Sequence, residues 1–557
     1  MIISRTFLGS LNRLVWAFAL LLVVFVLVRL PGVDVPYYQD EWKNVHASAS
    51  VTEAGKFFAH PPLMQIVLIQ GYTMFGADYF RLFPLIFSVL AAGMLYLVLA
   101  RRGYKTAGII SVGLLAVCFY NILGSLMPDV DGSILPFFFV AAVYAYDRYN
   151  ESVGALAWRW FAVFVSLLLL GFLTKLSFII VVGVFALDYL LQGRRIFEIR
   201  KIGLVAGSLA TFGVLYVGLL YLIAFVYPTF DMSIMFGHAN QFAENVGRNW
   251  IQIVIQAVKA VFYLSPLLLV PLFWMSRETL QKSRIFIIYL ILGAVFYFGV
   301  FDFSRGVLDK YLMFSIVPLA VMASFVYAEV FGHTVSRKTW IWGTGIGIVA
   351  AGLLVCLNFL PHEVFGLYPK TLWFSRVLHG EWAMLNPFNG GSGPMGFYVS
   401  FLFLAVSFIV SALVAGVGIF KKSWRGMLLI VLTVIGITYN VIMAEELFQG
   451  RINGSAADVL RESVMFISDR PDITEVITYN DIGARELSER GLYAGRFYAA
   501  PQFEEGHRAK FAAYTGHYLV VGMPPLYDGF YSEFFSHCDI LFEIQSGVIQ
   551  GTLYTCP

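Results

Sequence analysis

Residues 12–42 read NRLVWAFALLLVVFVLVRLPGVDVPYYQDEW. Positions 12–30 are apolar enough and long enough to cross a bilayer, which takes about 20 mostly apolar residues. No small-residue cleavage pattern follows them, so the run is expected to be a signal anchor rather than a removed signal peptide. A few residues on come Tyr37-Tyr38-Gln39-Asp40-Glu41-Trp42, two adjacent carboxylates just beyond the end of a span. The apolar run speaks for the architecture. The acids beside it speak for chemistry at the membrane edge.

The rest of the chain repeats the apolar theme. Of 557 residues, 59% are hydrophobic, 17% aromatic and only 13% charged, with a mean hydropathy of +0.75. Soluble domains carry roughly 25% charged residues, so a soluble enzyme, a nucleic-acid binder and a disordered regulator are all excluded. Further candidate spans are 80–100, 107–124, 132–147, 158–174, 176–193, 202–226, 262–276, 285–301, 311–330, 340–360, 396–420 and 426–446, about 13 with the first. The short apolar stretch 61–76 reads as an interfacial helix. Alternate loops are short and basic, with Arg101, Arg102 and Lys105, then Arg194 and Arg195, Arg277 and Lys282, and Lys421, Lys422 and Arg425. The positive-inside rule makes these cytoplasmic, along with the N-terminus, and puts the loops 31–60, 125–131, 227–261, 302–310 and 361–395 outside. The expectation is a polytopic α-helical protein of a cell inner membrane.

Polarity changes near residue 447. Beyond it eight Lys or Arg stand against fourteen Asp or Glu, a net of −6, and the preceding part carries +9 of a total +3. The organisation expected is a membrane domain over 1–446 and an extracytoplasmic α/β domain over 447–557. In the latter, 455–468 reads as an amphipathic helix and 475–479, 517–522 and 539–544 as short strands. Cys538 and Cys556 lie there with a strand-like stretch between them, and an oxidising compartment permits a disulfide. Cys118 and Cys356 fall inside spans and read as packing residues. Asn453-Gly454-Ser455 is a sequon on the outward side.

The outward rim holds the candidate chemistry. Asp40 and Glu41 are joined by Met127-Pro128-Asp129-Val130-Asp131-Gly132, a tiny loop between spans where a carboxylate is costly unless it faces a cavity or a partner. Asp131 could instead cap the following helix. His60-Pro61-Pro62 ends the first outer loop. Lys175, Arg248, Lys259, Arg305 and Lys310 are cations at membrane edges, with Tyr311 next to the last. Snorkelling would explain Lys175 alone. Cations at a dry boundary also suit a lipid phosphate. Carboxylates beside them suit proton removal from an acceptor hydroxyl.

These residues, with Phe75-Gly76, Arg81-Leu82, Leu173-Thr174-Lys175 and Lys310-Tyr311-Leu312 in order, resemble the integral-membrane glycosyltransferases of the GT-C fold. The similarity is to the lipid A aminoarabinose transferases and the bacterial protein O-mannosyltransferase-like enzymes. It implies an inverting transfer of a sugar from a polyprenyl-phosphate donor to a lipid, glycan or protein acceptor on the outer face. It implies Asp40 as base, Asp131 or Asp129 as second acid, with Glu41 beside them. His60, Lys175, Arg305, Lys310 and Tyr311 would hold the donor phosphate. Ala59-His60 stands where the aminoarabinose transferases carry Glu-Lys, a departure that weakens the case for the same donor sugar. No cofactor is required by such a reaction, and a divalent metal between the acids is left open. A lipid-linked sugar flippase would show repeats and mid-membrane polar groups. A glycan polymerase or ligase would leave Asp40-Glu41 and the outer domain unexplained.

Overall fold

A computed structural model describes residues 5–54, 60–192, 198–240, 248–301, 310–332, 335–360, 363–364, 370–388, 395–498, 503–526 and 529–557. Among them, nine helices are long and apolar enough to cross a membrane, or ten if a bent pair counts as one span. The bent pair is Lys105–Val117 and Phe119–Leu126, which meet at 71°. The other segments behind the expected count of about 13 are helices of different character. Leu176–Leu191 and Arg284–Val300 are shorter, and Ile134–Glu151 ends in the charged Asp147, Arg148 and Glu151. The 14-residue helix Pro62–Phe75 occupies the stretch read as interfacial.

Burial sorts the spans into inner and outer. The most apolar part of Lys310–Gly332 is 83% buried, whereas that of Ile199–Val226 is 11% buried. A helix apolar all round yet mostly uncovered by protein needs lipid around it, so the chain is a multi-pass membrane protein. Cys356 belongs to this outward-facing class and is exposed, not a packing residue, while Cys118 is buried at the bend. The bend is held by Arg29, fully buried at the end of the first span. Its guanidinium donates to the carbonyls of Phe25, Leu115 and Ala116 at 2.7, 3.0 and 3.1 Å and to Ser125 Oγ at 2.6 Å. The break at Cys118 leaves helix-end carbonyls without partners, and the arginine supplies donors for two of them.

Between the late spans, β1 (Glu363–Val364), β2 (Met384–Phe388) and β3 (Phe397–Ser400) form a small sheet. The expected span at 396–420 therefore starts as strand and becomes helix only at Phe401, where Ser400 Oγ accepts the Phe403 N–H. After the last span, the helix Ala456–Ser468 is capped by Ser455, whose Oγ accepts the Asp458 N–H. Five strands follow: β4 (Val476–Tyr479), β5 (Tyr493–Phe497), β6 (Gly516–Val521), β7 (Asp539–Ser546) and β8 (Ile549–Cys556). Their order is β5-β4-β6-β8-β7; β4 runs parallel to both neighbours and β8 antiparallel to both of its own. The α/β character is as read, with β5 and β8 added. The β7–β8 hairpin brings Cys538 against Cys556, and the two form a disulfide.

The tail is seated on the membrane part. Tyr38, Leu385 and Tyr398 share a core with Val459, Leu460 and Leu553. Asn453 is buried, and its amide donates to Glu446 Oε1 at 2.5 Å and to the Tyr398 carbonyl at 3.3 Å. The sequon is thus built into the join between the two parts rather than offered on the surface.

Candidate active site

The loops 31–41 and 127–133, Lys175 and Lys310 converge at one end of the bundle. The residue before Asp40, Gln39, takes φ +41°, a left-handed conformation uncommon for a side chain of its size. It starts the helix Asp40–Ala54 with the Glu41 N–H on the Tyr38 carbonyl. Behind the turn lies Arg81, fully buried. It makes a two-pronged pair with Glu41 at 2.7 and 2.8 Å and donates to the carbonyls of Val35, Pro36 and Leu126. Asn44 donates to the Pro128 carbonyl at 2.7 Å. The loop 31–41 is therefore tied both to the start of Leu82–Arg101 and to the 127–133 loop.

The two adjacent acids consequently part company. Glu41 has no exposed surface and both its oxygens are taken by Arg81, so it anchors the backbone and does not meet a substrate. Asp40 points the other way and keeps 34% of its side chain exposed. Its oxygens accept from Lys43 at 2.8 Å and Lys310 at 3.3 Å. Lys310 also donates to Asp129 at 2.9 Å, and Lys175 pairs with Asp131. Tyr311 lies between the two ammoniums, 4.7 Å from Lys175 and 5.3 Å from Lys310 to the ring centre. Asp40, Asp129, Asp131, Lys175, Lys310 and Tyr311 are thus one cluster.

The bland explanations fail here. Asp131 does not cap Ile134–Glu151, whose N-cap is Ser133. Lys175 does not snorkel, because its ammonium is spent on a buried acid. Arg248 turns away and donates to the carbonyls of Phe298 and Gly299. Arg305 lies outside the described residues.

Charge follows from the pairing. Burial would raise the Asp40 carboxyl, but Lys310 and Lys43 outweigh it and hold it below its usual range. Burial opposes Lys310 and Lys175 at Asp129 in the same way, and that acid is held well below its usual range. His60 stacks edge-on against His238 at 5.1 Å. Burial, then the charge of Lys175, lowers it to about 4, so at neutral pH it is uncharged. Among the described residues no three His, Cys, Asp or Glu side chains form a metal-holding group. Every acid of the cluster already faces an ammonium, so a divalent ion would have to displace a lysine, and the donor set does not fit a resident metal.

The tail domain reaches the same place. Arg485 pairs with Asp78 and lies 5.3 Å from the ring centre of Tyr37, whose other neighbour is Arg81 at 4.7 Å. Tyr37 is therefore held by one cation from each part, three residues before Asp40. Arg81 was visible in the sequence only as a motif residue. Arg485 had no sequence signal, since surface arginines are common in such a domain.

Comparison with solved structures finds a similar fold in ArnT from Cupriavidus metallidurans, crystallised in the apo state, with a TM-score of 0.54 and 15% identity over 98% of each chain. The chain has the GT-C fold. Two other GT-C enzymes align more loosely. The oligosaccharyltransferase of Archaeoglobus fulgidus, tethered to an acceptor peptide, covers 91% of this chain and 68% of its own at 10% identity and TM-score 0.44. The Saccharomyces cerevisiae protein O-mannosyltransferase Pmt1-Pmt2 complex, bound to the sugar donor, covers 40% of this chain and 34% of its own at 20% identity and TM-score 0.30. No family model and no curated protein matches the sequence.

Proposed function

We propose that this chain is an inverting glycosyltransferase that moves a sugar from a polyprenyl-phosphate donor to an acceptor hydroxyl at the outer face of a cell inner membrane. One observation carries the reading. The only acid of the cluster with substantial exposure, Asp40, shares a cation, Lys310, with the buried acid Asp129.

In this reading the donor phosphate sits against Lys310 and Lys175. An ammonium has three N–H donors, and those of Lys310 now serve Asp40 and Asp129. Asp40 accepts the proton of the acceptor hydroxyl as its oxygen attacks the anomeric carbon. The bond from that carbon to the phosphate oxygen breaks on the opposite side, and the electron pair leaves with the lipid phosphate. The ammoniums stabilise the growing negative charge. Tyr311 fixes the direction of both cations through its ring face. The fold's likeness to ArnT supports this class of reaction.

The test uses purified chain with a panel of radiolabelled polyprenyl-phosphate sugars. Asp40→Asn should lower turnover by about 10²–10⁴, the usual worth of a positioned base, while donor binding persists. Wild-type turnover in that variant would remove Asp40 from the role.

A further inference from the structure

We infer that the tail domain carries an oxyanion-binding subsite beside the Tyr37–Asp40 turn, and that it takes an anionic group, carboxylate or phosphate, of the acceptor. The inference rests on the glycosyltransferase reading for the word acceptor, though not for the site itself. In a sheet with parallel strands, ligands gather beyond the carboxyl ends of those strands. Here the parallel strands are β4, β5 and β6. Beyond β4 the chain turns through Asn480 and Asp481, both with positive φ at 55° and 63°. At the end of β5 stand Arg496 and Tyr498.

The geometry at this edge is specific. Asp481 accepts from Tyr493 Oη at 2.6 Å and from one Arg496 nitrogen at 2.6 Å, which aims the guanidinium while leaving its other nitrogens to a ligand. The Arg496 guanidinium lies 5.1 Å from the ring centre of Tyr498. Lys510 lies over Gly495, where a Cβ would stand 2.6 Å from its Nζ, and donates to the Arg496 carbonyl at 3.4 Å. Gly495 has φ +133°, so the strand makes room for that ammonium. Among the described residues Lys510 has no carboxylate within ion-pair reach. Two cations against one acid give a local net positive charge, in a domain whose overall charge is −6.

The edge also faces the right way. Arg485, just after the β4 turn, is fastened to Asp78 and Tyr37. An anionic group held by Arg496 and Lys510 would thus sit in the part of the tail domain that packs beside the Tyr37–Asp40 turn. A guanidinium and an ammonium at the end of one strand suit an oxyanion, the first by its planar fork and the second as a point charge.

The experiment measures binding of glucose 6-phosphate, glucuronate and glucose to the full chain in zwitterionic nanodiscs by saturation-transfer NMR. Binding of one or both charged sugars over glucose by tenfold or more is expected, and which one binds tells phosphate from carboxylate. Arg496→Gln with Lys510→Gln should reduce that preference to under threefold. Arg496→Lys with Lys510→Arg, which keeps the charges, should retain most of it. Lys175→Gln with Lys310→Gln should leave it in place. No preference for charge in the wild type overturns the inference, as does its survival in the Gln pair or its loss in either of the other two. Absence of sugar transfer with every donor would instead count against the glycosyltransferase reading and leave the binding result standing.

Discussion

Adjacent acids with separate tasks should fail differently. Glu41 and Arg81 have no exposed side-chain surface and make a two-pronged pair at 2.7 and 2.8 Å. Glu41→Gln keeps the shape and one acceptor oxygen but leaves the guanidinium with an uncompensated buried charge. Removing one partner of a buried pair costs about 3–5 kcal/mol, and the retained oxygen places this variant near the lower end. Asp40 is one-third exposed and its contact to Lys43 is a surface one. For such pairs the cost is about 0–1 kcal/mol, so Asp40→Asn should be nearly neutral in stability. The assay pairs thermal unfolding in detergent with turnover per folded molecule. Glu41→Gln should unfold several degrees earlier and retain turnover in its folded fraction, while Asp40→Asn does the reverse. Glu41→Gln that melts with the wild type yet loses turnover would refute the division of labour.

Two further outcomes concern pH. His60 is lowered from 6.5 to about 4 by burial and by Lys175, so the unfolded chain binds its proton first as pH falls. Stability should drop between roughly pH 6.5 and 4, by up to about 3 kcal/mol at the acid end, and His60→Gln should flatten that part of a melting-temperature profile against pH; an unchanged slope would refute the buried neutral state. For Asp40, activity should be lost only as pH falls below the usual carboxylate range, because the free protein holds its pKa down. The acid limb of kcat should lie above that of kcat/KM, since donor phosphate on Lys310 cancels part of the field at Asp40; coincident limbs would contradict the shared cation.

The acids and cations of the cluster were legible in the sequence because of where they stand. In a chain with 13% charged residues, a carboxylate or ammonium at a span's end is expensive and has to have a partner or a task. Asp129, Asp131, Lys175 and Lys310 could be singled out on that ground alone. Their partners could not, since the pairs are formed across up to 270 positions of sequence. The residues alone do not tell Asp40 from Glu41; only the resemblance to the GT-C glycosyltransferases singles out Asp40. Two neighbouring acids look alike until a turn sends one toward Arg81 and the other toward solvent. The fold was legible where apolar length decides it and less so where packing does. Lys105–Leu126 reads as one span until the chain bends at Cys118, and Arg284–Val300 passes from α-helix to a π turn at Val295. Strand β5 escaped notice because Gly495 and Arg496 break its alternation. The helix Ala456–Ser468, with its Ser cap and periodic apolar face, did not.

The pairing of cations with acids in advance of any donor has a physical reason. Two unpaired ammoniums at the dry rim would each carry a desolvation cost of several kcal/mol, and lysines under that cost shed their protons. Asp129 and Asp131 keep Lys310 and Lys175 charged and fixed in position. A phosphate that arrives there joins an ordered site instead of organising a loose one, which is the economy that preorganised charge brings to a reaction. The same arrangement explains why Asp40 is the acid left in the open. Its hold on Lys310, at 3.3 Å, is the longer of that lysine's two carboxylate contacts. It is therefore the one most easily surrendered to a donor phosphate. Losing it makes Asp40 a stronger base at the point in the cycle when an acceptor hydroxyl needs one.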